Sequence, residues 1–245
     1  MPSTPSKPEK RPVLFGVPCD NVTMEAALKR LDELVVRRSS FAAFVNAHCM
    51  NIAYRDAEYR AILNRADAVW LDGSGMRIAG RIRGFEVPDN VNGTDMFPLI
   101  CAKPYRIYML GAAPGVAEKA MENAKKLFPV AQFVGAYPGF FADGEEERAA
   151  IEKISALDPD ILLVAMGVPA QEKWIDRHRT ELRCGVALAV GGLLDFVSGR
   201  IPRAPMWMRK CGIEWMFRLY QEPLRLFRRY VIGNPLFVLR LLFRR

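Results

Sequence analysis

The sequence has few of the residues that build metal sites and disulfide frameworks. It contains two histidines, His48 and His178, and no cluster of histidine, cysteine and carboxylate residues with metal-ligand spacing. Its five cysteines include no Cys-x-x-Cys pair, and their odd number does not indicate a disulfide framework. We therefore expect a cytoplasmic protein that requires no metal or other cofactor.

Long apolar runs are also absent. No stretch reaches the roughly 18 consecutive apolar residues typical of a membrane-spanning helix. Residues 1–12 contain four prolines and no apolar segment, so we expect a disordered tail and not a signal peptide. The Gly-x-Gly-x-x-Gly fingerprint of nicotinamide-dependent oxidoreductases does not follow the first predicted strand, which argues against that class.

Positive charge is concentrated at one end of the chain. The net charge is +8, yet residues 200–245 alone contain eleven basic residues against two acids, Glu214 and Glu222. A local basic segment of this kind indicates a partner that carries negative charge. Because the rest of the chain shows no second basic surface and no nucleic-acid-binding motif, we expect an anionic membrane surface and no nucleic acid.

Strand-like apolar runs alternate with amphipathic stretches, which predicts an α/β fold with a Rossmann-like, mostly parallel sheet flanked by helices. The predicted strands lie at 13–16, 41–45, 68–71, 106–110, 132–136, 161–166 and 186–190, and the predicted helices at 23–37, 49–65, 74–83, 94–102, 115–128, 145–157 and 170–181. We expect this core to span residues 13–204, followed by a basic, amphipathic, membrane-associating appendage at 205–245. Such sheets bind ligands beyond the carboxyl ends of their strands.

Polar residues follow several of the predicted strands. Asp72 comes directly after a strand, so it is either a general base or the N-cap of the next helix. Asn46 follows an earlier strand and either contacts a sugar or phosphate or caps a helix. The loop that begins at Gly111 has backbone amides that can bind phosphate at a helix N-terminus, although its motif is weak.

Two further strand-end loops carry candidate ligands. Gln171 and Glu172 follow a buried strand, and a glutamine amide can both donate to and accept from a base or sugar. The alternative is an ordinary first turn of a helix, in which a proline begins the helix and an acidic side chain interacts favourably with the helix dipole. Asp195 comes soon after a pair of glycines. We expect Glu172 and Asp195 either to contact donor hydroxyls or to orient arginines.

The basic segment mixes arginine with large apolar side chains. Arg218, Arg225 and Arg228 fall on one side of a helix if Pro223 does not break it, and their planar guanidinium groups suit a diphosphate. Other residues are expected to enter a lipid interface between anionic headgroups: Trp215, Phe227, Arg229, Phe237, Arg240 and Phe243. The alternative is a core-packing terminal helix with a solvated charged face.

The order and spacing of several motifs resemble those of the WecG/TagA/CpsF proteins, glycosyltransferase family 26. The similarity covers almost all of the chain after the tail. It runs through the Asn46 loop, AD-x-x-x-x-DG-x-G (66–75), VNGTD (91–95), YPGFF (137–141), PDILLVAMGVPAQEKWI (159–175), GG-x-x-DF-x-SG (191–199), RAP (203–205) and EW-x-x-RL-x-x-EP-x-R-x-x-RRY (214–230).

This resemblance implies a peripheral enzyme on the inner face of the bacterial plasma membrane. Such an enzyme transfers a sugar from a UDP-sugar donor to an undecaprenyl-diphosphate-linked acceptor, inverts the anomeric carbon and requires no metal. The resemblance assigns the role of base to Asp72, places the family's three appendage arginines on Arg218, Arg225 and Arg228, and matches its glutamine to Gln171.

One departure from the family pattern is visible. Where many members have Thr-x-Asn, this chain has Asn46-Ala-His48, so the donor is left open among UDP-N-acetylmannosamine, its uronate and UDP-glucose. The sequence also leaves open a homo-oligomer. A second hypothesis is a non-catalytic module that binds a nucleotide or lipid carrier at the membrane, which would need the basic residues but not the Asp72 carboxylate.

Overall fold

The computed structural model describes residues 11–243, in which a six-stranded parallel sheet separates two layers of helices. A two-stranded antiparallel hairpin, β1 (Val13–Leu14) and β2 (Val17–Pro18), precedes the sheet. The sheet strands are β3 (Ser40–Val45), β4 (Ala68–Leu71), β5 (Arg106–Gly111), β6 (Gln132–Tyr137), β7 (Ile161–Ala165) and β8 (Val186–Ala189), in the order β4-β3-β8-β7-β5-β6. The predicted Rossmann-like α/β fold is confirmed.

Thirteen α-helices occur in this part of the chain. They are α1 (Met24–Arg37), α2 (Ala47–Arg55), α3 (Ala57–Arg65), α4 (Ser74–Arg83), α5 (Gly93–Cys101), α6 (Val116–Leu127), α7 (Gly144–Leu157), α8 (Ala170–His178), α9 (Leu193–Val197), α10 (Met206–Lys210), α11 (Glu214–Gln221), α12 (Pro223–Phe227) and α13 (Gly233–Phe243). A π-helical turn (Arg228–Ile232) joins the last two. The single helix predicted at 49–65 is two helices, because Asp56 leaves the helical conformation and its carboxylate accepts from the Tyr59 N–H.

The first predicted strand, 13–16, does not join the main sheet. Phe15 and Gly16 both have positive φ, so the chain turns back after two residues and forms the hairpin. Arg11, at the end of the predicted tail, pairs with Asp20 at 2.8 Å. Residues 1–10 of that tail lie outside the described residues.

The sheet is buried on both faces, which explains the uninterrupted apolar sequence of its central strands. Every residue of β3, β7 and β8 is buried. In the sheet, β4 lies on one side of β3, and the later strands β5 to β8 lie on the other side. Because all strands are parallel, the carboxyl ends of β3, β4, β7 and β8 lie at one sheet edge. This edge includes the point where the strand order reverses, at which ligands are expected.

The end of the predicted appendage belongs to the core. Helix α13 packs against α2 and α4, and its Phe237 and Leu241 are buried. Arg240 donates to the backbone oxygen of Asn51 at 3.2 Å and to its Oδ1 at 2.6 Å, and lies over the Tyr54 ring. The predicted lipid contacts of Phe237 and Arg240 are therefore wrong, and for this helix the core-packing alternative holds.

Helices α10, α11 and α12 lie at the surface. The first two have no buried residue, and α12 buries only Leu226. Phe227 and Phe243 are exposed, so their expected contact with lipid stays a prediction. Within residues 11–243, no helix combines the length and the apolar character needed to cross a bilayer.

The packing of α13 can be tested by alanine substitution. Phe237→Ala removes a buried ring that packs edge-to-face on Phe15, and should lower the free energy of unfolding by about 3–5 kcal/mol. Phe243→Ala removes a ring that is 80% exposed, and should change it by no more than about 0.5 kcal/mol. Urea unfolding followed by circular dichroism measures both, and equal effects would contradict the assignment of α13 to the core.

Candidate active site

A cavity of about 430 Å³ opens at the sheet edge where these four strands end. The strand-end loops and the segment before α5 supply one wall, with Asn46, His48, Asp72, Asn90, Asn92 and Gln171. The C-terminal segment supplies the other, with Arg203, Arg209, Glu214, Arg218, Arg225 and Arg229. The cavity is therefore formed jointly by the predicted core and the predicted appendage.

Asp72 lines the cavity and does not cap a helix. Helix α4 begins at Ser74 with Gly73 as its N-cap residue, and no side chain accepts a capping hydrogen bond there. The Asp72 N–H donates to the Val45 carbonyl at 2.8 Å, which fixes the residue beside the end of β3. The capping alternative is therefore wrong, and the carboxylate is available to a ligand.

The pKa of Asp72 is raised to about 6, mainly because burial in the site removes solvent from the charged form. A side-chain hydrogen bond with Asn46 and the charges of Arg229 and Arg218 lower the pKa, whereas the charge of Glu214 raises it. Desolvation outweighs the two arginines. The result is a carboxylate that is ionised at neutral pH and still accepts a proton more readily than an ordinary aspartate.

Asn46 has a structural role as well as a place in the cavity. Its Oδ1 accepts from the backbone N–H groups of His48 at 3.1 Å and Cys49 at 3.3 Å, so it caps α2 while it also interacts with Asp72. Both interpretations of Asn46 fit the geometry. Burial, reinforced by the charge of Arg229, lowers the pKa of the neighbouring His48 to about 4, so this side chain is neutral at physiological pH.

Gln171 and Glu172 are not equivalent. The Gln171 Oε1 accepts from the Gly191 N–H at 3.0 Å and its Nε2 donates to Glu172 Oε1 at 2.9 Å, so this amide ties the loop after β8 to α8. Glu172 is fully buried and does not line the cavity, and burial raises its pKa to about 7. The predicted donor contact of Glu172 is therefore wrong, because its carboxyl lies behind Gln171.

Gly111 has a packing role and does not line the cavity. Its φ is +135°, and a Cβ atom at this position would lie 2.4 Å from the Ala165 carbonyl oxygen. Glycine thus permits the close approach of the ends of β5 and β7. Because β5 ends outside the group of strands that surround the cavity, the cavity gives no support to the phosphate contact expected at Gly111, which stays a prediction.

Asp195 lies beside the cavity on α9. It pairs with Arg200 at 3.2 Å and does not line the cavity. A Cβ atom at Gly192 would lie 3.3 Å from Arg218 Nη2 and 3.9 Å from Asp195 Oδ2. Asp195 therefore pairs with an arginine outside the cavity, and both roles expected of it, contact with donor hydroxyls and orientation of the diphosphate arginines, stay predictions.

Two of the three predicted diphosphate arginines line the cavity. Arg218 and Arg225 do so, but the third is Arg229, whereas Arg228 is exposed and does not line the cavity. The chain from Arg218 to Arg229 is not one regular helix, because α11 ends at Gln221, α12 begins at Pro223 and the π-helical turn begins at Arg228. The residue spacing therefore did not predict which arginine faces the cavity. The structure thus places Arg229, and not Arg228, in the cavity, and the ligand contacts expected of the two residues stay predictions.

Trp215 lines the cavity as well, and its expected contact with lipid stays a prediction. It is half-buried in the cavity wall, with its ring centroid 5.9 Å from that of Tyr230. The sequence further gave no role to Arg203 and Arg209, which line the cavity and pair with Asp95. The only signal for them was their position in or near the RAP motif, with Asp95 in VNGTD.

The cavity carries a surplus of positive charge. Among the described residues that line it, five are arginines and two, Asp72 and Glu214, are carboxylates. In the same part of the chain, no group of three His, Cys, Asp or Glu side chains is placed to hold a metal ion. Guanidinium groups bind phosphate oxygens through paired hydrogen bonds, so the cavity suits an anionic ligand such as a diphosphate.

Known proteins are similar to this chain. The model of the glycosyl transferase WecG/TagA/CpsF family matches residues 12–245. An N-acetylglucosaminyldiphosphoundecaprenol N-acetyl-beta-D-mannosaminyltransferase of Bacillus spizizenii is 31% identical over 77% of this chain and 74% of its own length. Proteins of the same name from Staphylococcus aureus strains MW2 and NCTC 8325 are 28% and 29% identical, over 85% and 84% of this chain and 84% and 82% of their own lengths.

The raised pKa of Asp72 predicts a pH-dependent loss of stability. The folded protein retains a proton that the unfolded chain releases near pH 3.8, so stability should fall as pH rises from about 4 to 6 and stay lower above that range. Asp72→Asn should therefore raise the free energy of unfolding by about 1–3 kcal/mol at pH 8 and have little effect at pH 4.

Urea unfolding at both pH values checks this expectation. Glu152→Gln, on the exposed side of α7, serves as the control and should change stability little at either pH. Destabilisation by Asp72→Asn at pH 8 would show that the fold favours the charged carboxylate.

Proposed function

The chain belongs to the WecG/TagA/CpsF glycosyltransferase family, and we propose that it transfers a sugar from a UDP-sugar to an undecaprenyl-diphosphate-linked acceptor. The observation that carries this proposal is the meeting of the Asp72 carboxylate with three arginines of the C-terminal segment in one cavity. The names of the relatives support N-acetylglucosaminyldiphosphoundecaprenol as the acceptor and N-acetylmannosamine as the transferred sugar.

The proposed step is a direct displacement with inversion at the anomeric carbon. The acceptor hydroxyl attacks this carbon and gives its proton to Asp72, while the bond to the diphosphate breaks and UDP leaves from the opposite face. A pKa of about 6 suits the role, because the base is ionised at neutral pH and still holds a proton after the transfer.

The departing diphosphate gains negative charge, which Arg218, Arg225 and Arg229 would balance. Arg218 is held over the Phe196 ring, with its guanidinium carbon 5.2 Å from the ring centroid. Arg225 pairs with Glu222 on the same helical segment. Because these guanidinium groups would supply the compensating charge, the proposed mechanism includes no metal or other cofactor.

The exposed apolar side chains of the C-terminal helices support docking on the inner face of the plasma membrane. Trp207 is 61% exposed and Leu224 is 97% exposed, and Phe227 and Phe243 are exposed on the following helices. Arg228, next to Phe227 and outside the cavity, suits contact with anionic headgroups. Because the same helices form a wall of the cavity, docking would bring a lipid-linked acceptor to the site.

Loss of the Asp72 carboxylate should separate catalysis from binding. Asp72→Asn should lower kcat by about 10²–10⁴-fold, the usual contribution of a positioned base. The affinity for UDP should remain, because the arginines are intact. The assay is UDP release with N-acetylglucosaminyl-diphospho-lipid as acceptor, with folding checked by circular dichroism. Near-normal turnover of the variant would remove Asp72 from the mechanism, and no release by the unaltered protein would favour the non-catalytic module.

Two adjacent arginines offer a matched comparison. Arg229→Met should raise the Kd for UDP about 10–100-fold, because a hydrogen-bonded charge at the diphosphate is lost. Arg228→Met removes the same charge from an exposed side chain, so it should leave this Kd within about twofold and instead weaken binding to anionic vesicles. Titration calorimetry and vesicle sedimentation measure the two effects. Equal losses of UDP affinity would contradict the placement of Arg229 in the site.

A further inference from the structure

The proposed reaction brings two diphosphates together, one in the UDP-sugar and one in the lipid-linked acceptor. Each needs positive groups at close range where it leaves bulk water. Arg218, Arg225 and Arg229 supply these positive groups for the diphosphate of the donor. A second pair of arginines, Arg203 and Arg209, lines the same cavity. We propose that this pair is the subsite for the acceptor's diphosphate, an inference that rests on the proposed function.

Asp95 holds the two arginines side by side. Its Oδ1 lies 2.8 Å from Arg203 Nη2 and 3.3 Å from Arg209 Nη2. Its Oδ2 accepts from Asn92 Nδ2 at 2.7 Å, and the Asn92 Oδ1 accepts from the Asp95 N–H at 2.9 Å. A single carboxylate, itself fixed at the start of α5, thus orients two guanidinium groups toward one region of the cavity.

Both guanidinium groups keep donors that the protein does not use. The Nε of each is buried without a hydrogen-bond acceptor among the described residues. Glu214 Oε1 lies 3.7 Å from Arg203 Nε, beyond hydrogen-bond range. Unpaired donors in side chains that are 23% and 22% exposed are costly, and phosphate oxygens would satisfy them.

Arg203 and Arg209 line the same cavity as the proposed base, Asp72. In a lipid-linked acceptor the sugar ring separates the attacking hydroxyl from the diphosphate. With its diphosphate at Arg203 and Arg209, the acceptor would extend its sugar ring into the cavity that Asp72 also lines.

Helix α10 supplies the apolar surface that a lipid diphosphate requires. It carries Arg209 on the cavity side, while Met206 and Trp207 are 55% and 61% exposed. In a prenyl diphosphate the apolar chain is bonded directly to the diphosphate. Its binding site must therefore place cationic side chains next to an exposed apolar surface. The five residues of α10 provide both, which favours the acceptor and not a nucleotide at this position.

Kinetics with a short-chain acceptor tests the subsite. With farnesyl-diphospho-N-acetylglucosamine as the probe, Arg203→Met and Arg209→Met should each raise the acceptor KM about 10–100-fold and leave the Kd of UDP within about twofold. Arg209→Lys should recover part of the loss, because it keeps the charge without the planar fork. Lys210→Met removes an adjacent exposed charge, and its acceptor KM should stay within about twofold of the original.

Binding to the unaltered protein gives a second test that does not depend on folding of the variants. Farnesyl diphosphate should still bind, by titration calorimetry, when UDP is saturating. Its displacement by UDP, or an unchanged acceptor KM in both methionine variants, would overturn the subsite while leaving an active transferase. If the unaltered protein neither binds UDP nor releases it from a UDP-sugar, the proposed function fails and this inference fails with it.

Discussion

The site depends on the pairing of β3 with β8, two strands that lie far apart in the sequence. Their parallel register joins Ser40 to Val186 and Ala43 to Ala189. Because β4 and β7 flank this pair in the same direction, four strands end together. The loop of Asn46, the Asp72 turn and the glycine pair after β8 consequently meet at one edge. Without this register the polar residues would be dispersed, because the three loops are separated by more than 20 residues in the sequence.

The electrostatics of the cavity follow from its position between two layers of protein. Burial disfavours the charged form of Asp72 more strongly than the nearby arginines favour it. A second carboxyl, that of Glu172, is more deeply buried and also has a raised pKa. The site therefore places Asp72, an acid with a raised pKa, on the sheet side and its five arginines on the other side. This separation of charge is what a reaction with a proton acceptor at one end and an anionic leaving group at the other requires.

The sequence predicted the strands of the sheet best where burial on both faces demands continuous apolar residues, as in β7 and β8. It failed at Phe15, because positive φ ended the strand after two residues. The position of Asp72 after a strand identified it as a candidate site residue. Only the structure excluded its alternative role as a helix cap, because Gly73 is the N-cap residue of α4. Residue type did not distinguish Arg228 from Arg229, because they are adjacent and only the local helical rotation separates them.

Other errors arose because sequence does not reveal which side of a loop faces a cavity. Glu172, in the first turn of α8, and Gly111, the last residue of β5, lie near strand-end loops, but one is enclosed behind Gln171 and the other packs on β7. Arg203 and Arg209 were missed because their partner Asp95 is more than 100 residues away in the chain.

The anchoring of α13 in the core changes the entropy of the segment that carries the arginines. A free C-terminal arm would explore many conformations, and a ligand that ordered it would lose much of its binding free energy to that ordering. Here the segment from α10 to α12 is a closed loop, attached to the sheet through α9 at one end and through Phe237 and Leu241 at the other. Closing a chain at both ends removes most of its conformations before any ligand arrives. The arginines are therefore preorganised, while the segment that carries them stays at the surface.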